Sequence, residues 1–358
     1  MNNILEYIKW RGDLNFSDSP FNEVDNLIFT QLSYLDFSGI VSASVNESIY
    51  LDEAWEKYRS IGRKPESVIL PEEIYELFKE MAGTKRFSKI KLSGYVAKLD
   101  VEKEKQFGAL TIKLPKMIYV SFRGTDDNIV GWKEDFNLAF MESIPAQREA
   151  YRYLFDVLKN SRFTGVYVGG HSKGGNLSVF AAMHMPKAYQ KRIIRVYSND
   201  GPGFLENVVK SKEYESVMDK IFSIVPEGSV IGQLLSHGKA DDIIVKNDSS
   251  VLRQHDPFTW QVLGNGFVTV DSLNEQSIAT DAVITAWLSN MDAEERENFA
   301  EAIYELLTVT DAKTLKDIFS DKFGFLKALK NLSKEARKDI GKSIGQIIEQ
   351  IAKIKSEK

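Results

Sequence analysis

Not one cysteine occurs among the 358 residues. Disulfides, thiolate-bound zinc and a thiol nucleophile are thereby excluded, in keeping with a reducing compartment. Histidine is nearly as scarce, at four copies, so the search for a general base is short. Basic charge is not in excess either: 46 Lys and Arg stand against 51 Asp and Glu, a net charge of -5. That balance argues against nucleic acid or another polyanion as partner. Long hydrophobic runs are missing too. No window approaches the roughly 18 uninterrupted apolar residues that a spanning helix requires, and Glu6, Lys9 and Arg11 break the opening segment "MNNILEYIKWRGDLNF" before a secretory core could form. The expectation is a cytoplasmic protein without a transmembrane segment. What the chain does have is 43% hydrophobic residues, enough for one large α/β domain or two ordinary ones.

The first ninety residues read as a helical cap or entry region, with Val24, Leu27, Ile28, Leu32 and Leu35 near the spacing of one helical face. From Phe107 to Phe122 the pattern turns β-rich, split by Pro115 as in a hairpin. Further β-rich runs follow at "GVYVGG", "RIIRVYSN", "KIFSIV" and "DIIVKN". The segments between them are long enough for crossovers, which predicts an α/β fold with a mostly parallel sheet. After about residue 275 helix formers take over, and Asp292 followed by Glu295 has the form of a capping box. The expected division is therefore a domain over 1–275 and a helical appendage over 276–358. In the last segment Ile340, Ile344, Ile347, Ile351 and Ile354 follow a 4, 3, 4, 3 rhythm over about two heptads. This reads first as a helix packed on its own domain and second as a seam for self-association.

The segment with chemistry in it is "VYVGGHSKGGNLSVFAA", Val166 to Ala182. Ser172 stands in a G-x-S-x-G pattern where a β run passes into a helical one. A serine before a helix is most often an N-cap. Here, glycines two before and two after it fit a sharp strand-to-helix turn that lifts the hydroxyl clear of the sheet, a nucleophile elbow of the α/β-hydrolase kind. Such a hydroxyl needs a base. His171 adjoins the serine and is expected to point away from it, while His184 falls in the following helix. His237 and His255 remain, and His255, after the last β run, suits the chain order Ser, acid, His. Asp200 and Glu227 each end a β run before a glycine, and either is placed to orient the base. Spacing alone leaves both open. For the oxyanion hole the backbone N–H of Lys173 would supply one donor, and Thr125, in the loop of "VSFRGTDDNIVGWKEDF", the other.

Taken together, "SFRGT", Trp132, Asp135 and "GGHSKGG" resemble the class 3, or fungal-type, lipases, whose motifs run F-R-G-T, W, D and G-H-S-L-G-G. The match covers about Ile118 to Ala182. With "QLSYLDFSGIV", "NDGPGF" and "QHDPFTW", the whole chain looks like a bacterial branch of these α/β-hydrolases. The resemblance implies Ser172 as nucleophile and Thr125 as an oxyanion contributor; no cofactor is expected, and no metal site with a plausible ligand set is visible in the sequence. Two departures stand out. Lys173 replaces the usual apolar residue of the elbow, and "PEGSV" carries Glu227 near the family's Asp position. "NDGPGF" instead resembles the L-D-P-A-G-P segment of animal pancreatic-type lipases, which favours Asp200 as the acid and leaves Glu227 as the alternative. The activity implied is hydrolysis of a small-molecule or lipid ester; the competing reading is a catalytically silent scaffold that works through its carboxyl-terminal helices.

Overall fold

The computed structural model describes residues 2–65, 70–126, 128–161, 165–238, 242–247, 249, 253–308 and 331–356. An eight-stranded sheet organises the fold, its strands β1 (Ile49–Tyr50), β2 (Lys91–Asp100), β3 (Lys105–Lys113), β4 (Ile118–Phe122), β5 (Val166–His171), β6 (Ile193–Asn199), β7 (Ile221–Pro226) and β8 (Asp242–Val245) lying side by side in chain order. β1 to β4 pair antiparallel. β4 to β8 pair parallel. The parallel strands are short apolar runs because both faces are covered by helices. Tyr119 packs into the cluster on one face, while Ile118, Val120 and Phe122 pack into that on the other. A small hairpin, β9 (Val262–Leu263) and β10 (Gly266–Phe267), follows.

The sheet begins earlier than the sequence pattern predicts. β2 escapes because Gly94, at φ 63°, marks a bulge where the register with β3 shifts, and a bulge breaks the period-two alternation by which a strand is read. The amino-terminal helices α1 (Ile4–Arg11), α2 (Glu23–Leu32), α3 (Leu51–Ser60) and α4 (Pro71–Ala82) form as the apolar spacing predicts. α2, however, is buried at every position from Val24 to Leu32 and packs beside β4 and β5, so it is a layer of the core and not merely a cap. Its Asp25 pairs with Arg86 in full burial. Arg86 also donates to the Ser19 carbonyl at 2.8 Å, which spares the buried guanidinium unsatisfied donors.

On the opposite face lie α5 (Ile129–Asn137), α6 (Pro145–Asn160) and α7 (Lys173–Met183), followed by the single-turn helices α8 (Lys187–Gln190), α9 (Glu206–Val209) and α10 (Lys212–Glu215). Beyond the sheet come α11 (Glu275–Ser289), α12 (Ala293–Thr308) and α13 (Lys334–Ser356). α11 is fastened to the loop after β7, where Asn274 N–H donates to Glu227 O at 2.7 Å and Ser277 Oγ donates to Ser229 O. α12 is fastened to the segment after β4, where Arg296 donates to Ala139 O at 3.0 Å and Lys133 pairs with Glu301 at 2.9 Å. Asp292 and Glu295 exchange their capping-box bonds at 2.8 and 3.1 Å. The isoleucine rhythm of α13 divides: Ile340 is buried beside Ala302 and Leu306, Ile347 is half-buried, and Ile344 and Ile351 are exposed. The Ile354 side chain lies outside the described residues. No helix among the described residues is long and apolar enough to cross a membrane.

Candidate active site

The candidate residues gather at the carboxyl edge of the parallel strands. Thr125 follows β4, Ser172 follows β5, Asp200 follows β6, Glu227 follows β7 and His255 follows β8. This is the edge at which open α/β sheets place their sites. Ser172 has φ 58° and ψ -134°, a region that costs a non-glycine residue about 1–3 kcal/mol and persists where surrounding contacts enforce it. Those contacts are visible. A Cβ added at Gly170 would collide with the Gly174 backbone, and one at Gly174 would collide with the Phe122 carbonyl, so both glycines of the motif are required by close packing of strand against helix. Ser172 N–H donates to Asn199 O at 2.9 Å, which holds the elbow to the end of β6 beside Asp200.

Asp200 is wholly buried and itself adopts a positive φ of 47°. One carboxylate oxygen accepts from Ser229 Oγ at 2.5 Å and from Gly232 N–H at 3.0 Å. The other meets His255 Nδ1 at 2.6 Å. With Nδ1 engaged, Nε2 is the nitrogen of His255 left to exchange a proton. Glu227, the alternative acid, makes no contact with His255. Its side chain accepts from Asn247 N–H at 2.9 Å and its own N–H donates to Val245 O at 2.8 Å, so it ties the end of β7 to that of β8. The separation has a physical origin: Asp200 turns in at a left-handed residue, whereas Glu227 continues the sheet-edge pairing.

The remaining histidines fall elsewhere. His184 ends α7 with its ring 4.3 Å from that of Phe180. His237 is set among Asp242, Asp200 and Asp281, and burial nevertheless holds its imidazole below the ordinary value. It makes no hydrogen bond to Asp200, and its carbonyl accepts from the Tyr214 hydroxyl at 2.8 Å. His171 makes its contacts with Tyr34 and His255. Its ring lies 4.5 Å from that of His255, tilted by 31°, its Nε2 bonds the His255 carbonyl at 3.0 Å, and its Nδ1 faces the Tyr34 hydroxyl at 3.4 Å. Donation from Nε2 to a carbonyl and from the phenol to Nδ1 fixes a neutral tautomer.

Burial first, and His255 second, keeps the His171 imidazole well below the ordinary histidine value. An unfolded histidine takes up a proton near pH 6.5 and folded His171 does not, so stability should fall as the pH drops below that point. The loss amounts to up to about 1.4 kcal/mol per pH unit until the folded group also titrates. Urea unfolding at pH 7.5 and 5.5 should therefore show a loss about 1 kcal/mol smaller in His171→Gln than in the wild type. An equal loss in both would mean that the ring is readily protonated in place.

The loop after β4 comes close to the elbow. A Cβ at Gly124 would stand 2.5 Å from the His171 carbonyl oxygen and 3.1 Å from Ser172 Cβ, so glycine is what lets the two backbones approach. The Thr125 hydroxyl is already committed, donating to Asp135 Oδ2 at 2.6 Å. Its backbone N–H is then the group left to meet an oxyanion, together with that of Lys173 at the first position of α7. Thr125→Val keeps that N–H and should lower kcat by less than about tenfold; a loss of 10²- to 10³-fold, of the size seen when a direct donor is removed, would place the hydroxyl on the oxyanion after all.

Asp135 was visible in the sequence only as part of a motif, and Glu134, Tyr34 and the Lys173 ammonium gave no functional signal of their own. Two adjacent acids in α5, and a lysine opening a largely apolar helix, were the traces available.

The fold is of the α/β class, and Ser172, Asp200 and His255 stand in the chain order Ser, Asp, His at one edge of its parallel strands, with Asp200 and His255 hydrogen-bonded. A family model described as Mbeg1-like matches residues 81–305, and the chain belongs to that family. Among solved structures the chain is similar to M37 lipase, at 15% identity over 60% of this chain and 69% of that one, with a TM-score of 0.38. It is also similar to a Rhizomucor miehei lipase propeptide complex, a deletion mutant, at 15% identity over 73% and 76%, again with a TM-score of 0.38. The comparison with curated proteins finds no match.

Proposed function

We propose that this protein is a serine hydrolase of carboxylic esters that works through an acyl-enzyme. The observation that carries the reading is the 2.6 Å bond between buried Asp200 and His255, beside a serine held at φ 58°. In the proposed cycle, Ser172 Oγ attacks the ester carbonyl while His255 Nε2 takes its proton, and Asp200 stabilises the imidazolium that forms. The carbonyl oxygen, now negative, is met by the N–H groups of Thr125 and Lys173 at the positive end of α7. His255 returns the proton to the departing alcohol. Water then repeats the sequence on the acyl-serine and regenerates the free hydroxyl.

Small carboxylic esters and lysophospholipids are the substrates to try first. The segment from Asn137 to Ala150 offers few large apolar residues for adsorption to a lipid interface. A fluorophosphonate probe tests the reading directly: it labels an activated serine covalently and should modify Ser172, after which a panel of esters of graded chain length defines the substrate. An unlabelled, folded protein would leave the silent-scaffold reading in its place.

A further inference from the structure

Lys173 carries two groups with opposite destinations. Its backbone N–H opens α7 beside Ser172, and its side chain runs into the interior, where it is 1% exposed. The ammonium lies 3.0 Å from Glu134 Oε2, 3.0 Å from Gln106 Oε1 and 3.5 Å from Asp135 Oδ1. Glu134 is buried as well, and its two oxygens accept from the N–H groups of Ala146 at 2.8 Å and Gln106 at 3.1 Å. Asp135 in turn holds the Thr125 hydroxyl. One connected set of charges therefore joins the elbow helix, α5, β3 and the loop that brings Thr125 to the site.

The charge balance of that set gives it a function. Two carboxylates and one ammonium sum to -1, and without the ammonium the sum would be -2. Arg123 and Asp126, in the loop after β4, pair with each other at 3.4 Å and leave it unchanged, as does the Tyr34 phenol, which burial keeps protonated. Lys133, also on α5, is taken up by Glu104 at 2.7 Å and Glu301 at 2.9 Å. A negative charge that develops on a substrate oxygen at Thr125 and Lys173 is repelled by any uncompensated carboxylate nearby, and weakly screened in a dry interior.

We infer that Lys173, beyond lending its backbone N–H, is a positioning and charge-balancing residue for the proposed ester hydrolysis: its buried ammonium offsets one of the two charges of the Glu134–Asp135 pair behind the oxyanion hole and keeps Asp135 as the acceptor that orients Thr125. The assignment rests on the serine-hydrolase reading above. Electrostatics agree with it. Burial alone would depress the Lys173 ammonium, but Asp135 and Glu134 outweigh that and hold it above the ordinary lysine value. Burial pushes the Asp135 carboxyl up, and Lys173 is the strongest influence opposing the rise.

The test measures the rate of fluorophosphonate labelling at Ser172 together with kcat and KM for a small activated ester, from pH 6 to 9. In K173M the labelling rate and kcat should fall by about 10- to 100-fold at pH 8, with KM within about twofold. The deficit should shrink as the pH is lowered, because Asp135, whose carboxyl burial already pushes up, takes up a proton more readily once Lys173 is gone. K173M/E134Q restores the sum to -1, and most of the lost rate should return, although it removes one more buried hydrogen-bonding partner. A merely structural lysine predicts the opposite order, with the double variant no better than the single. Should K173M not fold, K173Q, whose amide still donates toward Glu134, makes the same comparison. A folded K173M or K173Q with wild-type rates would overturn the inference, as would a loss confined to KM, or a K173M/E134Q variant as slow as its parent at every pH. Wild-type protein that the probe does not label at all would instead overturn the serine-hydrolase reading and this inference with it.

Discussion

Ser172→Ala is expected to lower the turnover of a small activated ester by about 10⁵- to 10⁶-fold and to abolish probe labelling, while the fold stays intact. The size of the loss follows from the triad acting as a unit: once the nucleophile is gone, a perfect base and acid have nothing to activate. His255→Ala should fall nearly as far for the same reason, and His237→Ala should be mild, because His237 has no hydrogen bond to Asp200. Ser172→Gly separates function from stability. At φ 58° and ψ -134° the serine sits where glycine alone is comfortable, so the glycine variant should be equally inactive and yet more stable by about 1 kcal/mol or more. Chemical denaturation of the three proteins checks this. A Ser172→Gly variant less stable than wild type would mean that the serine side chain holds the elbow together, and a Ser172→Ala variant with ordinary turnover would make the elbow purely structural.

Most of the fold was legible because its signals are local. Parallel strands buried on both faces read as short apolar runs, and the four from "GVYVGG" to "DIIVKN" are β5 to β8 in order. β2 was lost to a single bulge, since a one-residue shift moves every side chain to the other face. Ser172 was legible because its turn demands glycines at fixed offsets, and both are pressed against backbone. His255 could be reached because only four histidines exist. Spacing alone could not decide the acid, since Asp200 and Glu227 occupy equivalent strand ends, and only the resemblance of "NDGPGF" favoured Asp200; what spacing does not carry is the positive φ of Asp200 and the Ser229 and Gly232 donors that hold it. Contacts across tens of residues were silent altogether. His171 beneath His255, Tyr34 against Gly124, and Lys173 between Glu134 and Asp135 join segments that periodicity and spacing treat as unrelated.

Asp200→Asn should lower kcat by about 10⁴-fold with little loss of stability. The hydrogen bonds around the carboxylate explain both halves of that expectation. In the asparagine variant the amide oxygen can keep accepting from Ser229 Oγ and Gly232 N–H, the two donors that anchor the turn. The amide nitrogen is then the atom that faces His255 Nδ1. An N–H there makes Nδ1 the acceptor and forces the imidazole proton onto Nε2, so the nitrogen that should take the serine proton already carries one. The imidazolium also loses the negative charge that stabilises it. Glu227→Gln is the matched control, because its amide oxygen can still accept from Asn247 N–H at the sheet edge; kcat should stay within about threefold of wild type. Stopped-flow acylation, read beside thermal unfolding of each variant, separates chemistry from folding. If Glu227→Gln were crippled and folded while Asp200→Asn remained active, the acid would lie one strand later and the Asp200–His255 bond would be structural. If both remained active, His255 would be working without a carboxylate, and the Asp200–His255 bond would be structural.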